Sequence, residues 1–362
     1  MTIITNTQPF IGQHCESTTI GTLLTQLSIY LSEPMIFGLG EGLGFAIFNM
    51  KTLDFPFIGG RIKPDLLTVN LSKNLGLKLI TNETNSKNKA WKTVKSLIDS
   101  NKAVGLKLDC YHLDYFSNPI HFAAHHVAML GYDDKKAYLV DTKQQGTKTI
   151  TSLESLALAR NEKGPMSSRN KYYIFEKETA LIPIETAILK VVRHNSETYL
   201  NPPIKNFGYK GIEKASREII KWFKQSKDIQ KEFAMSALLM KSAGTGGALF
   251  RNFYRDFLKE AYEWTGHSAI KIAYEIVKDS AKNWSRLVLL FEKTGKTGHS
   301  AIKIAYEIVK DSAKNWSRLV LLFEKTGKTG DIQYVLEASK LLKDLSLQEK
   351  EGMQLLNSIK QM

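Results

Sequence analysis

The chain has 362 residues, 43% apolar and 24% charged. This is enough for about two domains with real cores, and it excludes wholesale disorder. No stretch approaches the roughly 18 consecutive apolar residues of a membrane span, and two cysteines are too few for a disulfide scaffold or a cysteine-rich zinc module. The net charge of +14 divides as +4 over residues 1–176 and +10 beyond them, which permits acidic partners.

The opening residues carry neither the basic start nor the apolar run of a secretory signal, and the scarcity of cysteine suits a reducing, cytoplasmic setting. Ile20, Leu23, Leu24, Leu27 and Leu31 recur at helical spacing, so Cys15 falls at or just before a helix's first turn. A glycine-rich apolar stretch, 37–45, follows. Residues 88–100 read as helix and 103–108 as strand, and Cys110 is expected inside an apolar strand as a small hydrophobe. Apolar runs at 126–130 and 137–141 flank Asp133-Asp134-Lys135-Lys136, a hairpin signal. Residues 170–176 read as a closing strand.

Beyond 176 the pattern is helical. Residues 184–198 form a helix stopped by Asn201-Pro202-Pro203. Ile212, Ala215, Ile219 and Phe223 form one apolar stripe, and Leu249, Phe250, Phe253 and Phe257 another, both expected as helix-bundle core. Residues 267–298 recur without change at 299–330. Two identical copies do not resemble an old solenoid, whose repeats diverge. The Lys-Thr-Gly-Lys-Thr-Gly that ends each copy lacks the upstream glycine of a phosphate loop, and its glycines read as helix C-caps.

Three residues suggest nucleophilic chemistry. Cys15 leads a helix, whose free N–H groups and positive dipole end favour a thiolate and can hold an oxyanion. His125 stands at the mouth of the hairpin's first strand, and Asp141 ends the second. An imidazole oriented by a carboxylate can deprotonate a thiol and later protonate a leaving group. If Tyr132 pairs with Ala137, however, Asp141 faces Ala128, three residues from His125. Twist, a bulge or a shifted register must then close the gap. His126 competes with His125, since strand alternation lets only one face the thiol. Gln13 and His14 are candidates for oxyanion or supporting roles, and His121 for loop support.

Other uses of these side chains are weaker. His121 and His125 are spaced like a zinc pair, but Phe122 occupies the position of the glutamate base and the flanks read as strand, so no metal or other cofactor is expected. The glycine run lacks the following helix of a dinucleotide site. Gly40, Glu41 and Gly42 are instead expected to line a substrate pocket, with Gly244, Thr245 and Gly246 as a second candidate lining or a tight interhelical turn. Arg251 and Arg255 could meet a carrier phosphate or be ion-paired. Nucleic-acid binding is disfavoured because the lysines are dispersed.

The segments His14-Cys15-Glu16, the glycine run 37–45, Gly59-Gly60-Arg61, His121-Phe-Ala-Ala-His125, Gly131-Tyr-Asp-Asp134 and the run 243–257 together resemble the family of butirosin biosynthesis protein H, over about residues 10–265. Ala123 and Ala124 depart from that pattern, standing where the family has glycines, as does His126 after His125. The resemblance implies a papain-like cysteine enzyme that moves an acyl group from a carrier-protein thioester to a small amine, with His125 and Asp141 as its dyad. The expected fold is α+β: a papain-like catalytic domain at 1–176, a helical linker at 177–206 and an all-α domain at 207–362. A cysteine amidase or peptidase would share the same three residues. A non-catalytic interaction protein is the other alternative, and self-association is left open.

Overall fold

The computed structural model describes residues 1–51, 53–117, 120–164, 166–295 and 333–358. The second repeat copy, and the glycine that closes the first, lie outside the described residues.

A seven-stranded antiparallel sheet organises the first half. Its order is β4 (Lys78–Asn82), β9 (Tyr172–Glu176), β5 (Val104–Leu108), β6 (His125–Tyr132), β7 (Lys136–Val140) and β8 (Lys148–Ser152), with β1 (Thr2–Ile3) pairing the far end of β6. Helix α1 (Cys15–Gln26) packs on β6 at the centre of this sheet. Its residues 15–24 are all buried, so its hydroxyls need partners inside the helix. Thr18, Thr19 and Thr22 each donate to the carbonyl four residues back, at 2.7–2.9 Å. Helix α4 (Lys87–Asp99) buries Ala90, Val94 and Ile98, a one-face stripe, and is capped by Ser86, which accepts from Lys89 N. Helix α5 (Leu153–Asn161) follows β8 directly.

The glycine run is ordered differently from a binding loop. Helix α2 (Glu33–Leu39) runs into it and β2 (Leu43–Phe48) leaves it, pairing with β3 (Phe57–Arg61) in a separate hairpin. Helix α3 (Leu66–Leu75) packs against α2 and leads back to the sheet. Cys110 begins a short 3₁₀ turn, Cys110–His112, rather than extending the strand, because Asp109 turns the chain by accepting from Tyr111 N.

The remaining helices among the described residues are α6 (Ile184–Leu200), α7 (Gly208–Gln225), α8 (Ile229–Ser242), α9 (Arg251–Thr265), α10 (Ser268–Gly295) and α11 (Gln333–Asn357). Helix α6 buries Ala187, Ile188, Val191, Val192 and Tyr199. Helix α9 packs so closely on α2 that a Cβ on Gly38 would stand 2.0 Å from the Phe257 ring. Gly295 is not a left-handed C-cap. It belongs to α10, and a Cβ there would lie 2.4 Å from Ala234 N, so the glycine permits close approach of two helices.

Arg251, fully buried, donates bidentately to Glu349 of α11 at 2.8 and 2.9 Å. Tyr199, Ser280 and Trp284 also donate to that carboxylate, and Arg251 donates onward to the carbonyls of Gly60 and Leu249. This answers the Arg251 alternative: it is an internal ion pair. Arg255 pairs with Asp256. Burial favours a neutral Glu349, but the guanidinium outweighs it and holds the carboxyl below its ordinary value. Breaking such a pair on one side costs about 3–5 kcal/mol, whereas replacing both members with apolar residues is often neutral. Glu349→Leu is therefore expected to lower unfolding free energy by about that amount, and Arg251→Met/Glu349→Leu to recover only part of it, because Tyr199, Ser280 and Trp284 stay without their acceptor, as read by urea denaturation.

Candidate active site

Cys15 is the first residue of α1, with 8% of its surface exposed. The turn before it is held by a carboxylate from α2. Glu33 accepts from Gln13 N at 2.9 Å, His14 N at 2.9 Å and the Ser17 hydroxyl at 2.6 Å. Burial raises the Glu33 carboxyl above its ordinary value despite these bonds. Helix α1 is capped by His14, whose Nδ1 accepts from Ser17 N at 3.4 Å. Burial, then Arg61, His126 and His125, keep His14 well below the usual histidine range, so it is neutral and free to accept. Among the described residues, the backbone N–H groups of Cys15 and Glu16 meet no acceptor. They remain available to a developing oxyanion beside the sulfur.

The register of β6 and β7 explains how Asp141 reaches His125. Tyr132 pairs with Ala137, as the hairpin signal requires, but a bulge between Met129 and Gly131 shifts the pairing so that Val140 faces Ala128. Continued by one residue, Asp141 faces Val127, on the face that carries His125. Without the extra residue it would face Ala128 and point the other way. His125 Nε2 lies 2.8 Å from Asp141 Oδ2, and the Cys15 thiol is near enough to act electrostatically on the ring. Since Nε2 faces the carboxylate, Nδ1 is the nitrogen left for sulfur. Burial works against a charged ring here, but Asp141 and then Cys15 outweigh it and hold His125 well above the ordinary histidine value. Asp141 Oδ2 also accepts from the Tyr115 hydroxyl at 2.8 Å, and Oδ1 from Thr142 N at 2.6 Å.

His126 lies on the opposite side of the strand, fully buried, with Nδ1 3.1 Å from the Tyr173 hydroxyl and Nε2 3.6 Å from Asp65 Oδ1. His121 is brought to neither sulfur nor Asp141. Its ring, largely exposed, stacks on Tyr111 at 3.9 Å and meets Asp109. The Gln13 side chain lies at the surface, while its backbone serves the Glu33 anchor. Cys110 is the inert contrast: burial pushes its thiol up to about 11, and it donates to Ile120 O.

The proposed pocket glycines need correction. A Cβ on Gly40 would meet Leu67, and one on Gly42 the Phe37 ring at 2.6 Å, so both are packing glycines. Glu41 is buried, held by Asn74 at 3.0 Å and His194 at 2.6 Å. Of the second set, only Gly244 reaches the site. It sits in the left-handed region, and its Cβ position is 3.3 Å from Gln13 O and 3.4 Å from His14 Cα. Thr245 turns inward to Met240 O, and Gly246 packs on Phe253. Phe250, at the start of α9, sets its ring edge-on to His14 at 5.4 Å.

The sequence reading gave no role to Glu33, Tyr115 or Phe116, or to the buried Glu16. Glu16 accepts from Arg61 at 3.1 Å and from Thr68 N and Oγ1. Arg61 and Glu16 were visible as motif residues, but nothing in the sequence paired them. Among the described residues no group of three or more His, Cys, Asp or Glu side chains is placed to hold a metal, and no helix is long and apolar enough to cross a membrane.

Burial, reinforced by Arg61 and Lys107 and opposed by Glu16 and Asp65, pushes His126 down to about 4 from 6.5. The unfolded chain then binds the extra proton first, so this residue costs stability as pH falls from 6.5 toward 4, up to about 3 kcal/mol. His126→Gln should show a shallower loss of unfolding free energy over that interval than wild type. Parallel urea-denaturation curves for the two proteins would contradict this.

Residues 14–142 match the family model "Butirosin biosynthesis protein H, N-terminal", a span that opens on the cap of α1 and closes one residue past Asp141. Residues 154–309 match a "Domain of unknown function (DUF4872)". No curated protein matches the chain. One similar solved structure is a crystal structure from Bacillus anthracis described as a C39-like peptidase, at 17% identity and a TM-score of 0.36, covering 49% of this chain and 99% of that one. Over residues 14–142, the chain is therefore similar to the N-terminal part of butirosin biosynthesis protein H.

Proposed function

We propose that the chain is a papain-like cysteine acyltransferase that moves an acyl group from a thioester, carried on an acyl carrier protein, to a small amine. One observation carries the reading: His125 bonds Asp141 through Nε2, which leaves Nδ1 for Cys15, whose thiol acts electrostatically on the ring from the N-terminus of a buried helix. That arrangement suits a thiolate–imidazolium pair.

In the proposed cycle, Cys15 Sγ attacks the thioester carbonyl. The carbonyl oxygen takes the electron pair and rests on the N–H groups of Cys15 and Glu16. Collapse breaks the bond to the donor sulfur, which leaves with the proton of His125. The amine then attacks the acyl–Cys15 carbonyl, and His125 takes its proton as the bond to Cys15 breaks. Asp141 keeps the ring in the tautomer that both steps need. Two things favour an amine over water as acceptor. The family model is named for a biosynthesis protein, and only 8% of Cys15 is exposed, which restricts solvent access to the intermediate. The net charge of +14 suits an acidic carrier.

Intact-mass spectrometry after incubation with candidate thioesters tests this. Wild type should gain one acyl group and lose it on addition of amine faster than in buffer alone, Cys15→Ala should gain none, and His125→Ala should acylate at least about 100-fold more slowly. Loss at equal rates with and without amine would favour the amide- or thioester-hydrolase alternative. An unchanged adduct in Cys15→Ala would overturn the mechanism.

A further inference from the structure

The connection between β5 and β6 contains three consecutive side chains that act on one place. Asp114 pins the segment: Oδ2 accepts from Thr151 Oγ1 at 2.9 Å and Ser152 N at 2.7 Å, and Oδ1 from Ser155 Oγ at 2.6 Å. This ties residue 114 to the end of β8 and the first turn of α5, both rigid elements. Tyr115 then points inward, its hydroxyl donating to Asp141 Oδ2, the same oxygen that His125 Nε2 meets. Phe116 sets its ring edge-on to the His125 imidazole, at 5.5 Å and 87°. One residue anchors, the next holds the carboxylate, and the third fences the ring.

We propose that Tyr115 is a positioning residue of the site, sharing Asp141 Oδ2 with His125 so that the carboxylate holds the imidazole in one orientation while only part of its charge is spent on it. The inference rests on the reading of Cys15 and His125 given above. The physical reason is competition. A carboxylate oxygen that accepts two bonds is fixed in direction by both donors, and each donor draws off part of its negative charge. Without the hydroxyl, Asp141 would face His125 with its charge less shared and its angle less defined. The ring would hold its proton more tightly and be less able to release it to a leaving group. Burial of the phenol and the neighbouring Asp141 keep Tyr115 protonated, hence a donor, across the working range. The other titratable groups near His125 are Cys15 and His14 at the start of α1 and Cys110 in the 3₁₀ turn. His14 and Cys110 both stay neutral, so the balance is set by Cys15, Asp141 and Tyr115.

The test is Tyr115→Phe, which removes only the hydroxyl, followed by isotope-labelled histidine NMR across pH and by turnover of a thioester substrate. In the variant the His125 midpoint should rise by about one pH unit relative to wild type. Turnover should fall about tenfold in kcat, with KM nearly unchanged. Tyr111→Phe, altering a surface ring stacked on His121, should change neither. A wild-type His125 midpoint at or below about 6.5 would sink the thiolate–imidazolium reading itself. A raised wild-type midpoint that Tyr115→Phe leaves in place would sink the positioning role alone.

Discussion

His125 and Asp141 meet because β6 carries one residue more than the strand it pairs with. Side chains in a strand alternate with a period of two, so a one-residue difference in register decides which face every later residue shows. Regular pairing from Tyr132 and Ala137 would put Asp141 on the face of Ala128, away from His125. The bulge at Leu130 reverses that parity. The freed backbone is not left unsatisfied, since Leu130 O accepts from Ile4 N as β1 pairs alongside. A local irregularity in the ladder thus creates the His–Asp contact, and the sulfur is brought to it from elsewhere in the chain.

The sulfur is delivered by a helix with almost no solvent face. Helix α1 is held at its first turn by two buried carboxylates. Glu33 grips the backbone of Gln13 and His14, and Glu16 is gripped by Arg61 and Thr68. Each is satisfied by several donors, as buried charge requires. Gly60, next to Arg61, is also a contact point for Arg251, and the turn beginning at Gly244 lies on the backbone of Gln13 and His14. The helical half therefore borders the site through the residues just before Cys15. A left-handed glycine is needed there because any side chain would crowd that backbone.

Much of this was legible in the sequence. The apolar spacing of Ile20, Leu23 and Leu24 predicts α1 and puts Cys15 at its start, and the paired apolar runs around Asp133 predict the β6–β7 hairpin. What was hidden is what a single sequence does not encode locally. The bulge leaves no signature, since Leu130 is an ordinary strand residue. Glu33 and Tyr115 act across 19 and 26 residues of chain on His14 and Asp141, and neither sits in a pattern that marks such a partner. The glycine run misled for a related reason. Close approach of a backbone to a ligand and to a Phe ring demand the same residue, and only the fold tells which is present.

The central claim is that Cys15 becomes transiently bonded to its substrate's carbonyl carbon. A crystal structure of the protein reacted with a slowly released acyl donor tests it most directly. The account predicts density continuous from Cys15 Sγ into the acyl group, with the carbonyl oxygen against the backbone N–H groups of Cys15 and Glu16. An adduct on Cys110 instead, or an acyl donor bound intact with no bond to sulfur, would contradict it.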